Sequence, residues 1–169
     1  KNMAATIETF RNAGIQIKMI TGDYAETALA IAAQINLSKN TDVLTGKEVL
    51  ALSPEALQQK VKAINIYARM FPEAKLKVIT ALKDNGEVVA MTGDGVNDGP
   101  ALKAAHIGIA MGKRGSEVAK SAASLILTDD DLSHMTDAVA LGRKIYDNLQ
   151  KAIRYIVSIH IPIILIVTL

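Results

Sequence analysis

The sequence predicts an α/β fold, and three observations carry that expectation. Short apolar runs alternate with stretches of helical periodicity along most of the chain, the rhythm of a sheet flanked by helices. Two of these runs end in glycine–aspartate loops, Thr21-Gly22-Asp23 and Thr92-Gly93-Asp94-Gly95, and open α/β sheets place their ligands at such strand ends. The core must also be aliphatic, because 50% of the residues are hydrophobic and only 4% aromatic.

Met3, Ile7 and Phe10 recur at near-helical spacing until Gly14 ends the first helix. Ile15 to Ile20 reads as a strand closed by Thr21-Gly22-Asp23, and Ala25 to Ile35 as a second helix that Asp23 could cap. Ser38 to Ser53 is polar and irregular, with a short strand at Val43-Leu44. Ser53-Pro54-Glu55 then starts a helix with proline in its first turn. Ile64 to Met70 is the next strand, and Pro72 opens a helix to about Lys83. Asn85-Gly86 turns the chain into the strand Val88 to Met91. After the central loop come a helical segment at Ala101–Ala105 and a buried strand at Ile107–Ala110. Next follow a Gly112–Gly115 turn, a helix capped by Ser116 and a last strand at Ser124–Leu127. The acids of Thr128 to Asp131 read as caps and solvated charge. A long helical pattern runs from Leu132 to the end of the chain.

The 169 residues suffice for one domain with a real core. A formal charge of +2, scattered basic residues and few aromatics leave nucleic-acid binding unsupported. The absence of cysteine excludes disulfides, thiolate metal sites and cysteine nucleophiles, and fits a reducing compartment. Lys1 to Gly14 reads as an amphipathic helix rather than a secretory signal. Ile156 to Leu169 contains no Asp, Glu, Lys or Arg and is preceded by Arg143, Lys144, Lys151 and Arg154. Basic residues are expected on the cytoplasmic flank of a membrane helix. The run is shorter than the roughly 20 residues that span a bilayer, and it is expected to be a transmembrane helix cut off partway.

The chemistry concentrates in Met91 to Leu102, M-T-G-D-G-V-N-D-G-P-A-L. Asp94 and Asp98 sit four residues apart around Gly95 and Asn97. Clustered carboxylates on a tight loop suit Mg²⁺, which takes one or two carboxylates plus phosphate oxygens and water. The plainer reading is that these aspartates serve the turn and cap a helix. At Thr21-Gly22-Asp23, a hydroxyl and backbone N–H groups facing a helix start can hold phosphoryl oxygens.

T-G-D-G-V-N-D-x-P-A-L resembles the hinge motif of the P-type ATPases, ion pumps that work through an aspartyl-phosphate. Further segments carry the same resemblance in order: A-G-I-x-I-K-M-I-T-G-D ending at Asp23, Y-A-R-M-x-P-x-x-K-x-K from Tyr67 to Lys77, and G-R-x-I-Y-D-N at Gly142–Asn148. The resemblance implies a haloacid-dehalogenase-like Rossmannoid sheet flanked by helices. It divides the chain into a partial phosphorylation domain (1–131), a stalk helix (132–155) and a truncated membrane helix (156–169). It further implies that Asp94 holds Mg²⁺ with Asp98, and that Asp98 and Asn97 order the loop. Thr21, Gly22 and Asp23 would bind the phosphoryl group, and Lys75 would balance its charge, with ATP as substrate.

The D-K-T-G-T string that bears the family's nucleophile does not occur here, nor does the nucleotide-binding domain that follows it. The resemblance therefore implies a downstream portion, inactive alone, whose partners are the upstream part of the same pump and the transported cation. The absent strand would lie between those at 15–20 and 88–92, leaving two open edges that re-pair or drive dimer formation. In the membrane segment Ser158-Ile159-His160-Ile161-Pro162-Ile163, isoleucine stands where calcium and sodium–potassium pumps carry an acidic ligand. His160 is a candidate for the ion pathway, and Pro162 is expected to kink the helix. Two alternatives compete: a soluble phosphatase of the same superfamily, which would need its own D-x-D nucleophile, and a non-catalytic interaction module.

Overall fold

The computed structural model describes residues 3–38 and 40–168. They form two compact units, one up to Leu132 and one from Ser133 onward.

The first unit is α/β. Its elements are α1 (Met3–Asn12), β1 (Met19–Ile20), α2 (Ala25–Gln34), β2 (Val43–Thr45), α3 (Gly46–Ala51), α4 (Pro54–Ala63), β3 (Ile66–Ala68) and α5 (Pro72–Asp84). They continue with β4 (Ala90–Gly93), a 3-10 turn at Val96–Asp98, α6 (Gly99–Ala104), β5 (Ile107–Met111), α7 (Glu117–Ala122) and β6 (Leu125–Leu127). Local chemistry accounts for most boundaries. The Ser53 and Ser116 hydroxyls accept the N–H groups of Ala56 and Ala119, capping α4 and α7. Gly14 turns out of α1 at φ +74°, a conformation that costs glycine little. Helix α3 lies within the stretch expected to be irregular. Its signal is the capping box Thr45-x-x-Glu48, in which the Glu48 carboxylate also accepts the Thr45 N–H.

The strands form two parallel three-stranded sheets, ordered β1-β3-β2 and β4-β5-β6. Tyr67, Val78, Val61 and Leu57 belong to one core that continues through Met91 and Ala110 of the second sheet and Leu102 of α6. A smaller cluster, with Ile7, Ala28, Ala32 and Ile66, backs the first sheet with α1 and α2. Tyr67 is wholly buried, its hydroxyl donates to Ile64 O, and burial pushes the phenol well above its usual range.

Strands β1 and β4 each pair on one side only. Met19 and Thr21 donate their N–H groups to Asn65 O and Tyr67 O of the β3 segment. Backbone groups alternate along a strand, so those of Ile20 point away from β3. On β4, Val89 O accepts the Ile107 N–H, which directs the backbone of Ala90 and Thr92 away from β5. The two strands expected to flank the missing one are thus edge strands, as β2 and β6 also are. Strands β1 and β4 do not close on each other.

The second unit is one helix, α8 (Ser133–Thr168), 36 residues long with no buried residue. At 1.5 Å per residue it measures about 54 Å. Among the described residues it is the one helix long and apolar enough to cross a membrane, its most apolar 18-residue window having a mean hydropathy of 1.6. The basic flank and the apolar run are therefore one continuous helix. The helix runs on through Pro162, whose missing N–H leaves Ser158 C=O without its usual intrahelical donor.

Candidate active site

The C-terminal ends of β1 and β4, with the first turn of α5, surround a cleft of about 300 Å³. Thr21, Gly22, Lys75, Asp94 and Asp98 line it, together with Ile20, Met91, Thr92, Gly93 and Met111. Residues separated by over seventy positions are brought together because both sheets are parallel and present the same ends of their strands.

Asp98 is the one buried charged residue among the described residues, 7% exposed. Its Oδ1 accepts from Lys75 Nζ at 2.6 Å, and its Oδ2 accepts the Gly95 N–H at 3.1 Å. A buried carboxylate persists when paired and hydrogen-bonded, and this one is both. Its position depends on Gly93. A Cβ built there would lie 2.6 Å from Asp98 Cβ, so only glycine lets the carboxylate fold back over the strand end. Asp98 makes no side-chain cap of α6; its oxygens are directed at Lys75 and at the loop itself.

Asp94 is different. It is exposed, and among the described residues its carboxylate has neither a hydrogen bond nor an ion pair. Its backbone C=O accepts the Ser116 N–H at 2.8 Å. Asp94 therefore offers a free hard oxygen donor at the mouth of the cleft, the chemistry Mg²⁺ requires. Asp98, expected beside it as a ligand, already has one protein donor on each oxygen.

The Thr21 hydroxyl donates to Asp23 Oδ2 at 2.9 Å and accepts the Asp23 N–H at 3.1 Å. Asp23 thus orients Thr21 and makes no cap of α2, whose N-cap is Tyr24 without a side-chain bond. Arg69 N–H donates to Asp23 O, and the Arg69 guanidinium lies 4.4 Å from the centre of the exposed Tyr24 ring. Asn97 is exposed on the 3-10 turn and, like Asp23, does not line the cleft. His160 lies on α8, in the other unit.

One residue outside the cleft lining departs from the sequence reading. Asp130 is not solvated charge: its carboxylate accepts the N–H groups of Lys113 and Arg114, each at 3.0 Å, and Arg114 Nε at 3.3 Å. Hydrogen bonding, led by the Lys113 N–H, holds its carboxyl below the usual range against the opposing effect of burial. Nothing local announces this contact, which joins residues 16 and 17 positions apart.

Comparison with known proteins agrees with this architecture. A family model for haloacid dehalogenase-like hydrolases matches residues 1–106. The chain is 50% identical over 157 residues to a "Probable cation-transporting ATPase F" of Mycobacterium bovis, an alignment covering 90% of this chain and 17% of that protein. It is 47% identical over 161 residues to a "Calcium-transporting ATPase" of Bacillus subtilis, covering 95% and 18% respectively. Among solved structures it resembles a zinc-transporting PIB-type ATPase in an E2.Pi state, with a TM-score of 0.68 and 30% identity over 88% of this chain and 20% of that one. The chain thus spans less than a fifth of the length of these curated relatives. It belongs to the haloacid dehalogenase-like hydrolases, within the branch formed by the P-type cation-transporting ATPases.

Proposed function

We propose that this chain is part of an ATP-driven cation pump, in which it supplies the Mg²⁺, phosphoryl-binding and lysine elements of an aspartyl-phosphate cycle. The observation that carries this reading is the convergence of Thr21, Lys75, Asp94 and Asp98 on one cleft between two open strand edges. When bound, Mg²⁺ at Asp94 neutralises charge on phosphoryl oxygens. The chain's own groups do the rest. The backbone beside Gly22 orients phosphoryl oxygens, and Thr21 joins it when its hydroxyl proton turns from Asp23 to a phosphoryl oxygen. Asp98 holds the Lys75 ammonium at the cleft, where it offsets negative charge. This is catalysis by positioning and electrostatics, as phosphoryl transfer generally requires.

The nucleophilic aspartate and the nucleotide-binding domain belong, in this reading, to an upstream part of the same pump, so the chain alone is inactive. Helix α8 anchors the protein in the membrane with the α/β unit on the cytoplasmic side. His160 belongs to the ion pathway. Its Nδ1 lies 2.8 Å from Ile156 O, which can only accept, so Nδ1 donates there and Nε2 is the ring nitrogen left for other contacts. Imidazole suits transition metals better than hard calcium. The cation is tested by transport assays across a cation panel with His160→Ala.

The direct test compares phosphorylation by labelled ATP and Mg²⁺ in the chain alone and in the chain joined to a D-K-T-G-T-containing upstream segment. Acid-stable, hydroxylamine-labile label is expected only in the joined protein, and is lost with Asp94→Ala. Absence of label under every cation would refute the pump reading and favour a non-catalytic interaction module.

A further inference from the structure

We infer that Asp130 is a positioning residue for Asp94, acting through the loop between β5 and α7. The inference rests on the reading of Asp94 as the metal carboxylate. That carboxylate has no protein partner among the described residues, so its aim is decided by its backbone. Three attachments hold that backbone: β4 pairing through Gly93, the Gly95 N–H bonded to Asp98, and the Asp94 C=O bonded to Ser116 N–H at 2.8 Å.

Ser116 ends the Gly112–Ser116 loop, and the other end of that loop is bolted by Asp130. One carboxylate receives two successive backbone N–H groups, from Lys113 and Arg114, in the manner of an anion held by a backbone nest. The Asp130 side chain is only 10% exposed. Its backbone sits at φ +61°, a region uncommon for residues other than glycine though Asp tolerates it. The loop has no slack to absorb a loss. Gly112 N–H donates to Leu127 O at 2.9 Å, and a Cβ at Gly112 would lie 2.7 Å from Thr128 Cα. A Cβ at Gly115 would run into the Met111 carbonyl. Releasing the Asp130 carboxylate frees two loop N–H groups, and Ser116 then shifts together with the Asp94 carbonyl it holds. An ordinary loop brace would contribute to stability and leave the metal site unaltered.

The test titrates Mn²⁺ into the full chain in detergent micelles and follows free Mn²⁺ by EPR. Wild type binds and D94A does not. D130A weakens binding by about tenfold, in the range of outer-shell substitutions, and D130N, which keeps one accepting oxygen, weakens it less. S53A removes the cap of α4 far from the loop, lowers stability and leaves Mn²⁺ affinity at the wild-type value. Wild-type affinity in folded D130A and D130N overturns the inference. So does an equal loss in S53A, which would make the effect one of general stability. Should D130A fail to fold, D130N decides. Wild type that binds no Mn²⁺, or D94A that binds as well as wild type, refutes the metal-site reading itself, and with it this inference.

Discussion

Asp98→Ala tests the electrostatic centre of the site. The substitution removes the acceptor of two bonds, from Lys75 Nζ at 2.6 Å and from Gly95 N–H at 3.1 Å. A hydrogen bond to a charged group contributes about 1.5–3 kcal/mol and an ordinary one about 0.5–1.5 kcal/mol. Fully buried pairs lose about 3–5 kcal/mol when one partner is deleted. Here the two side chains are 13% and 10% exposed, so the stranded ammonium reaches water in part. The expected loss is therefore about 2–3 kcal/mol, at the low end of those ranges. The Lys75→Met variant alone removes the ion pair but leaves the Gly95 bond. A double-mutant cycle between the two isolates their coupling, expected at about 1.5–3 kcal/mol. Urea unfolding followed by far-ultraviolet circular dichroism measures each variant, since the chain has no tryptophan. A loss below about 0.5 kcal/mol in Asp98→Ala, within the range of surface substitutions, would refute the reasoning, as would additivity in the cycle.

Further outcomes follow from the same geometry. Lys18 donates to Ile64 O and Asn65 Oδ1, and burial, opposed by Glu87, pushes its pKa down to about 8. The unfolded lysine titrates near about 10.4, so above pH 8 the unfolded chain holds more protons and stability rises with pH. Near about pH 10 the buried Tyr67 phenol, pushed up by burial, reverses the trend because the unfolded tyrosine ionises first. Lys18→Met should abolish the rise in denaturation profiles between those limits; an unchanged profile counts against it. Gly93→Ala places a methyl 2.6 Å from Asp98 Cβ, so it should cost about 1–3 kcal/mol and abolish Mn²⁺ binding even where circular dichroism shows a folded chain. The unpaired edges of β1 and β4 should drive self-association. Sedimentation equilibrium in density-matched detergent is expected to give a dimer for wild type and a monomer for Ala90→Lys, whose charge blocks the β4 edge. A monomeric wild type refutes edge pairing.

The sequence by itself determined the α/β rhythm, the order of most elements and the residue types at the cleft. These depend on short-range rules: helical spacing in α1, serine caps before α4 and α7, and glycine–aspartate loops after apolar runs. The Thr45-x-x-Glu48 box before α3 was equally local. Only the tertiary structure decided how those residues divide their work. Asp94 and Asp98 share one motif, yet one carboxylate is free and exposed while the other is buried against Lys75 from α5, because Gly93 admits only Asp98 over the strand end. Asp130 lies in a run of acids that solvation alone would explain. Its carboxylate instead fastens a loop from another strand, a contact set by β5 and β6 lying side by side. The continuous α8, by contrast, was already legible as one helical pattern from Leu132 onward, because it needs no long-range packing. Spacing along the chain fixes what each residue can do locally. Long-range packing decides which charges lose their water, and with it which partners they take.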